Sequence, residues 1–310
     1  MPALEASAVA MPPRLMRPSR RALLVVGYML AAGCEPKLVV GKWSGAEGGT
    51  TSGGGGAAGG GGGGEAGGEA GAGPVGCENA DGGTAVGSMT RVLEPVSVPW
   101  STGFESGFCD YAPVNSYCYA DPRASFQIVT APVHSGTSAA AFNIVVDEAM
   151  DGTQTRCVRQ GTLPEAAYYS AFFFIPSAPS ASNNWNLVHF QGGRTTGALH
   201  GLWDVSVNVD AGGDLHLYIF DFLRFRTRPT VGVPAVPVGS WFQIEVYLKR
   251  ANDATGEFAV YQDGELALQL TDITTDDTSF GQWYVGSLAD ALTPGESRLY
   301  VDDVSMREAP

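Results

Sequence analysis

Trp241-Phe242-Gln243-Ile244-Glu245-Val246-Tyr247-Leu248-Lys249-Arg250 alternates strictly between apolar and polar positions. Successive side chains of an extended chain point to opposite faces. Phe242, Ile244, Val246 and Leu248 therefore share one face, and Trp241, Gln243, Glu245, Tyr247 and Lys249 share the other. A strand with one apolar and one polar face belongs to an antiparallel sheet that covers a core on one side only. Neighbouring segments repeat the pattern. In 202–210 the wet face is Asp204, Ser206 and Asn208, and in 214–220 it is Asp214, His216 and Tyr218. In 186–191, Val188 and Phe190 read as core while His189 and Gln191 point the other way. Asp263-Gly264 between two such runs is a hairpin turn signal.

Further short segments, among them 155–160, 168–175, 283–285 and 299–306, are separated by Gly, Pro, Asn and Asp. No stretch sustains a helical period. Many short strands with turn signals between them predict an all-β sandwich or jelly roll of two antiparallel sheets over residues 91–310.

What precedes that domain is address and tether. The chain has 310 residues. Arg17, Arg20 and Arg21 form a basic region, and 22–30 is an apolar core too short to span a bilayer as a stable helix. The run ends Leu30-Ala31-Ala32-Gly33-Cys34, which resembles the lipobox of bacterial lipoproteins, in which the Cys is lipidated. The resemblance implies an export signal over 1–34, lipidation of Cys34 and a place on the bacterial cell envelope. Membrane contact is then through the lipid anchor alone; a plain secretory signal is the other reading, and the protein is then secreted. Residues 35–90 read as a flexible tether. Of the 32 residues in 45–76, 18 are Gly, too little apolar area to offset the entropy of ordering. Its r.m.s. span is about 30 Å, from about 5–6 Å × √n.

The formal charge is −14, which excludes a general nucleic-acid binder. Beyond Cys34, Cys77, Cys109, Cys118 and Cys157 form an even set in an exported chain, which predicts two disulfides. Cys109–Cys118 closes the shortest loop and is the preferred pair; a metal site competes weakly, because there is no CxxC.

Val133-His134-Ser135-Gly136, the segment 239–246, Tyr261-Gln262-Asp263-Gly264 and Leu299-Tyr300-Val301-Asp302-Asp303-Val304 resemble the concanavalin A-like jelly roll of laminin-G-type modules and β-jelly-roll polysaccharide lyases. That fold hosts lectins, hydrolases, lyases and inert modules, so function must come from a site. Alginate-lyase-like members carry Arg-x-Glu-Leu-Arg on one concave strand and Gln-x-His on another. Here Thr155-Arg156-Cys157-Val158-Arg159 and His189-Phe190-Gln191 stand in those places. Cys157 replaces the family's Glu, and His and Gln are reversed, so the chain is more similar to lyases of the heparin-lyase and glucuronan-lyase type. β-Elimination needs a group that neutralises the substrate carboxylate, a base for the C5 proton and an acid for the leaving oxygen. The resemblance implies Arg156 or Arg159 with Gln191 as neutralisers, His189 as base and Tyr218 or Tyr247 as acid.

Arg224, Arg226 and Arg228 line one face of an extended chain. They offer bidentate forks for an acidic polysaccharide or pair with local Asp residues. Lys249 and Asn208, on polar strand faces, are further candidate glycan contacts. Glu105 with Asp302 or Asp303 resembles the structural Ca²⁺ site that joins first and last strands in jelly-roll carbohydrate modules; hard cations want several such oxygens. Two functions stand at this point for a monomer: a polysaccharide lyase, and a non-catalytic carbohydrate-binding or adhesion module.

Overall fold

The computed structural model describes residues 85–113, 115–146, 152–193, 198–276 and 278–309. The export signal, Cys34 and the Gly-rich run lie outside the described residues. The described part is all-β, a jelly-roll sandwich of two antiparallel sheets.

The first sheet has eight strands in the order β1 (Ala85–Gly87), β3 (Ser116–Ala120), β6 (Thr153–Gly161), β15 (Phe280–Thr293), β8 (Ala181–Gly193), β9 (Leu199–Val209), β10 (Leu215–Asp221), β11 (Arg226–Pro229). The second runs β14 (Glu265–Ile273), β13 (Gly256–Gln262), β12 (Trp241–Lys249), β7 (Ala166–Phe174), β16 (Glu296–Glu308), β5 (Ala139–Val145), β4 (Ala124–Val129), with β2 (Trp100–Thr102) paired to β16. Strand β1 lies inside the stretch read as tether, where Val86 pairs with Cys118.

The core is the set of inward faces that the alternation marks out. Phe242, Ile244, Val246 and Leu248 of β12 are buried and meet Trp203, Phe190 and Trp283 from the first sheet in one cluster. Trp203 stacks on Phe258 with centroids 4.2 Å apart, and Tyr169 meets Trp283 edge-on at 5.1 Å. Trp185, Trp203 and Trp283 are thus core filler.

Two further features depart from the sequence expectation. Asp204 and Ser206, expected to face water, are buried. Cys118 is bridged to Cys157, not to Cys109, which is itself disulfide-bonded. Register decides it: β3 and β6 pair with Cys118 directly opposite Cys157, Cα atoms 4.0 Å apart, whereas loop length says nothing about which strands are neighbours.

Candidate active site on the outward face of the first sheet

One face of the first sheet packs on the core; the other carries a continuous polar and aromatic surface. Its central row is fixed by register: Tyr117 on β3, Val158 on β6, Tyr284 on β15, His189 on β8, Asp204 on β9, Phe220 on β10 and Thr227 on β11. One flanking row is Gln160, Gln282 and Gln191. On the other side lie Tyr119, Arg156 and Gly286, followed by Asn186, Ser206 and Tyr218.

Strand β8 can present both Asn186 and His189 here because its register against β9 shifts between Asn186 and Val188. The extra residue lets Leu187 and Val188 both enter the core. Gly286 lies at the matching irregularity of β15, with φ +141°. A Cβ there would run into the Thr155 carbonyl oxygen and stand 2.8 Å from the Arg156 Cα, so glycine lets β15 lie close against the β6 backbone that carries Arg156.

Three groups meet on this surface. His189 pairs through Nδ1 with the Asp204 carboxylate. An ionised carboxylate can only accept, so Nδ1 carries the proton and Nε2 keeps its lone pair. Burial holds the His189 imidazole below its ordinary 6.5; Asp204 opposes that shift and Arg156 adds to it. Tyr284 lies beside it, ring centroids 5.2 Å apart. Its hydroxyl donates to Gln191 Oε1 at 3.0 Å and is shared with Gln282 Oε1. Gln282 in turn donates to Gln160 Oε1 at 2.8 Å and Tyr117 Oη at 3.3 Å. Burial, with Tyr117 and Tyr119 close by, pushes the Tyr284 hydroxyl well above 10.0, so it stays protonated. The Arg156 guanidinium sits 5.3 Å from the Tyr284 ring centroid and donates from Nη2 to Asn186 Oδ1 at 2.8 Å. Asn186 is held by its own donation to the Val188 carbonyl at 3.0 Å. A neutral base, a protonated acid and a fixed cation are thus assembled where burial strengthens their fields.

The structure brings together His189, Gln191 and Arg156. Tyr218 shares the surface two strands from β8; burial pushes its hydroxyl up to about 12, and Ser206 bonds it. Asn208 is exposed at the end of the same face and accepts from Ser182 at 3.1 Å. The others lie elsewhere. Arg159 is three residues from Arg156, so it points to the opposite side of β6. There it donates to Ser116 at 3.0 Å and Ser97 at 3.1 Å and stacks 4.4 Å over Trp100. Tyr247 and Lys249 lie on the outward face of the second sheet, Tyr247 against Tyr168 at 5.0 Å. Arg224, Arg226 and Arg228 gather on buried Asp221, at 3.2, 4.0 and 3.0 Å. Arg226 and Arg228 are opposite Asp221 and Ile219 in register, while Thr227 takes the place in the His189 row.

Tyr284, Asn186, Gln282 and Asp204 belong to the candidate site and were not singled out by sequence reasoning. The signal for Tyr284 was parity: Trp283 is core, so its neighbour must face the other way.

Glu105, Asp302 and Asp303 all bind the 134–138 segment, but through its donors. Glu105 accepts from Thr137 N at 2.8 Å, Thr137 Oγ1 at 2.6 Å and Ser138 N at 3.0 Å. Asp302 accepts from the backbone of His134 and Ser135, and Asp303 from Ser135 Oγ at 2.8 Å. Among the described residues, the three potential ligands whose atoms lie within 4.8 Å of one another are Asp210, Asp214 and His216 instead. The donor set around Glu105 and Asp302 fits a hydrogen-bonded clasp better than the shell of a shared Ca²⁺. A chelator is expected to leave the melting temperature unchanged; a drop of several degrees with release of calcium would restore the ion.

No family model matches the chain, and no curated protein does. Among solved structures, the endo-β-1,4-glucuronan lyase of the fungus Trichoderma reesei superposes with a TM-score of 0.51 at 18% identity, over 62% of this chain and 90% of that one. The PL-14 alginate lyase of Aplysia kurodai gives 0.46 at 12% identity, over 68% and 98%. The cellulose-induced protein Cip1 gives 0.46 at 15%, over 68% and 97%. The first likeness shows a shared fold: the chain adopts a sandwich architecture also used by a polysaccharide lyase.

Proposed function

We propose that the chain is a polysaccharide lyase that cleaves a uronic-acid-containing polymer by β-elimination. The observation that carries this is the meeting of His189, Tyr284 and Arg156 on one sheet face, with Asp204 fixing the imidazole. Arg156, oriented by Asn186, offers its remaining N–H groups to the substrate carboxylate and makes the C5 proton more acidic. His189 Nε2 takes that proton. The C5–H electron pair becomes the C4–C5 double bond, the C4–O bond breaks, and the leaving oxygen takes the Tyr284 hydroxyl proton. Solvent then moves one proton from His189 and restores one to Tyr284. Gln191 serves in this scheme as the acceptor that aims Tyr284, in place of the neutralising role the resemblance implies. An export signal ending at Cys34 puts the chemistry outside the cytoplasm, where such polymers are found.

The test is incubation of the purified domain with glucuronan, alginate and heparin, following the absorbance of the new double bond. The pH profile has a stated sign. His189 works when neutral, and its folded-state pKa lies below 6.5, so activity persists from about 6.5 upward and falls as pH drops through that depressed value. Tyr284 holds its proton past 10.0, so no alkaline loss arises from it below about that pH. A profile that peaks near pH 5 would contradict a neutral imidazole base. Binding without any double-bond signal on all three polymers would leave a non-catalytic carbohydrate-binding module of the same fold.

A further inference from the structure

The outward face of the second sheet holds a trough that the chemistry above does not use. On β7 this face is Tyr168, Ser170, Phe172 and Phe174, alternating with the buried Tyr169, Ala171 and Phe173. Register places three small side chains side by side at one level, Ser170 on β7, Ser305 on β16 and Ser101 on β2, with Glu245 of β12 beside Ser170 at the end of the row. Neighbouring strands are about 4.8 Å apart, so the three serines span about 10 Å. Larger groups rise on both sides. Gln243 and Phe172 stand on one flank, and Tyr247, Tyr168 and Arg307 on the other. A cleft of about 370 Å³ lies on the Gln243 and Phe172 side of the serine row, lined by Ser101, Ser170, Ser305 and Asp303 with them; Glu245, Tyr168, Tyr247 and Arg307 border the row beyond it.

Its polar groups are prepared for a partner. Ser170 is only 6% exposed and accepts from Gln243 Nε2 at 2.8 Å. Its own hydroxyl proton has no acceptor among the described residues, and a nine-tenths-buried donor without an acceptor calls for a ligand or water in the cleft. The aromatic flank is rigid. His134 stacks on Phe172 at 3.6 Å and is itself bonded to Asp303 at 2.6 Å.

Charge selects the ligand. Asp303 lines the cleft and Glu245 closes the end of the serine row. Arg307, the nearby cation, is engaged: it donates to Glu245 at 3.0 and 3.1 Å and lies 3.8 Å over Tyr168. A uronate would meet carboxylates here and no uncommitted guanidinium, whereas sugar hydroxyls find both acceptors and donors. We propose that this trough binds an uncharged polysaccharide, about two pyranose units of a chain with hydroxyls and no carboxylates. It is a separate site on the face opposite His189. It holds the protein on neutral glycan while the first sheet works on an acidic one.

The test is affinity electrophoresis of the purified full chain through gels containing hydroxyethylcellulose, galactomannan or laminarin, with alginate and glucuronan as charged controls. Wild type is expected to be retarded by at least one uncharged polymer. Ser101→Trp and Ser305→Trp, which fill the trough, should lower that affinity at least tenfold, and Gln243→Ala supplies a milder variant should either fail to fold. His189→Ala should bind the uncharged polymer as wild type does, so failure of the lyase chemistry and failure of this site are read separately. No retardation by any of the three, retardation by the uronic-acid polymers alone, or folded trough variants that bind like wild type would each overturn the proposal.

Discussion

Tyr284→Phe is expected to lower kcat on the uronic-acid polymer by about 10²–10⁴, the usual contribution of a positioned proton donor. The change removes one oxygen and leaves the ring against His189 and Arg156. The fold should survive with a stability loss of about 1–3 kcal/mol, because Gln191 and Gln282 lose the hydroxyl they share. His189→Ala should cost a similar factor, and the double variant little more than either single one, since acid and base act in the same step. Tyr218→Phe is the control. Its hydroxyl lies on the same face but is bonded to Ser206, so activity should stay within a few-fold of wild type. Initial rates of double-bond formation, with melting curves for every variant, decide it. A Tyr284→Phe variant that keeps more than about a tenth of the rate, well short of the loss expected of a proton donor, would move the proposed acid elsewhere. A Tyr218→Phe variant that loses as much as Tyr284→Phe would do the same.

The fold class was legible because period-two alternation is a direct imprint of burial on one side. In β12 every predicted core position is buried and every predicted outward one is partly exposed. The Asp263-Gly264 turn joins β13 and β14 as its residues demand, with Asp263 at φ +51°. The shared face of His189 and Gln191 was legible for the same reason. What alternation cannot say is which of two sheets a strand joins. A sandwich has two outward faces, and Tyr247 sits on one while His189 sits on the other. Arg156 and Arg159 show a second limit. A spacing of three puts them on opposite sides of β6, so at most one could serve, but only the neighbours of β6 reveal which. The same ignorance of neighbours misled the disulfide. Strand β15 was missed over most of its 14 residues because Gly281 and Gly286 interrupt its apolar run. The bulge beside Gly286 is a device for the site, and irregularities of that kind are where local rules fail.

Asp221→Ala is expected to destabilise the domain by about 3 kcal/mol, at the low end of the roughly 3–5 kcal/mol for removing one partner of a buried ion pair. The carboxylate is fully buried and is the common acceptor for Arg224 Nη1, at 3.3 and 3.2 Å, and Arg228 Nη2 at 3.0 Å. It also accepts from the Arg224 backbone at 3.1 Å, which shapes the turn after β10. Arg224 reaches on to the Thr274 carbonyl at 3.1 Å, beyond the end of β14, so the cluster ties an edge of the first sheet to an edge of the second. Losing Asp221 leaves two guanidiniums facing each other without a counter-charge. They keep 27% and 18% side-chain exposure, which is why the low end applies. Arg226→Ala should cost less than about 1 kcal/mol, because that side chain is 52% exposed and only grazes Asp221 at 4.0 Å. Urea unfolding of the two variants separates a structural clamp from a stripe displayed for ligand. A near-neutral Asp221→Ala, or an Arg226→Ala as damaging as it, would mean that the three arginines are not held in place by this one carboxylate.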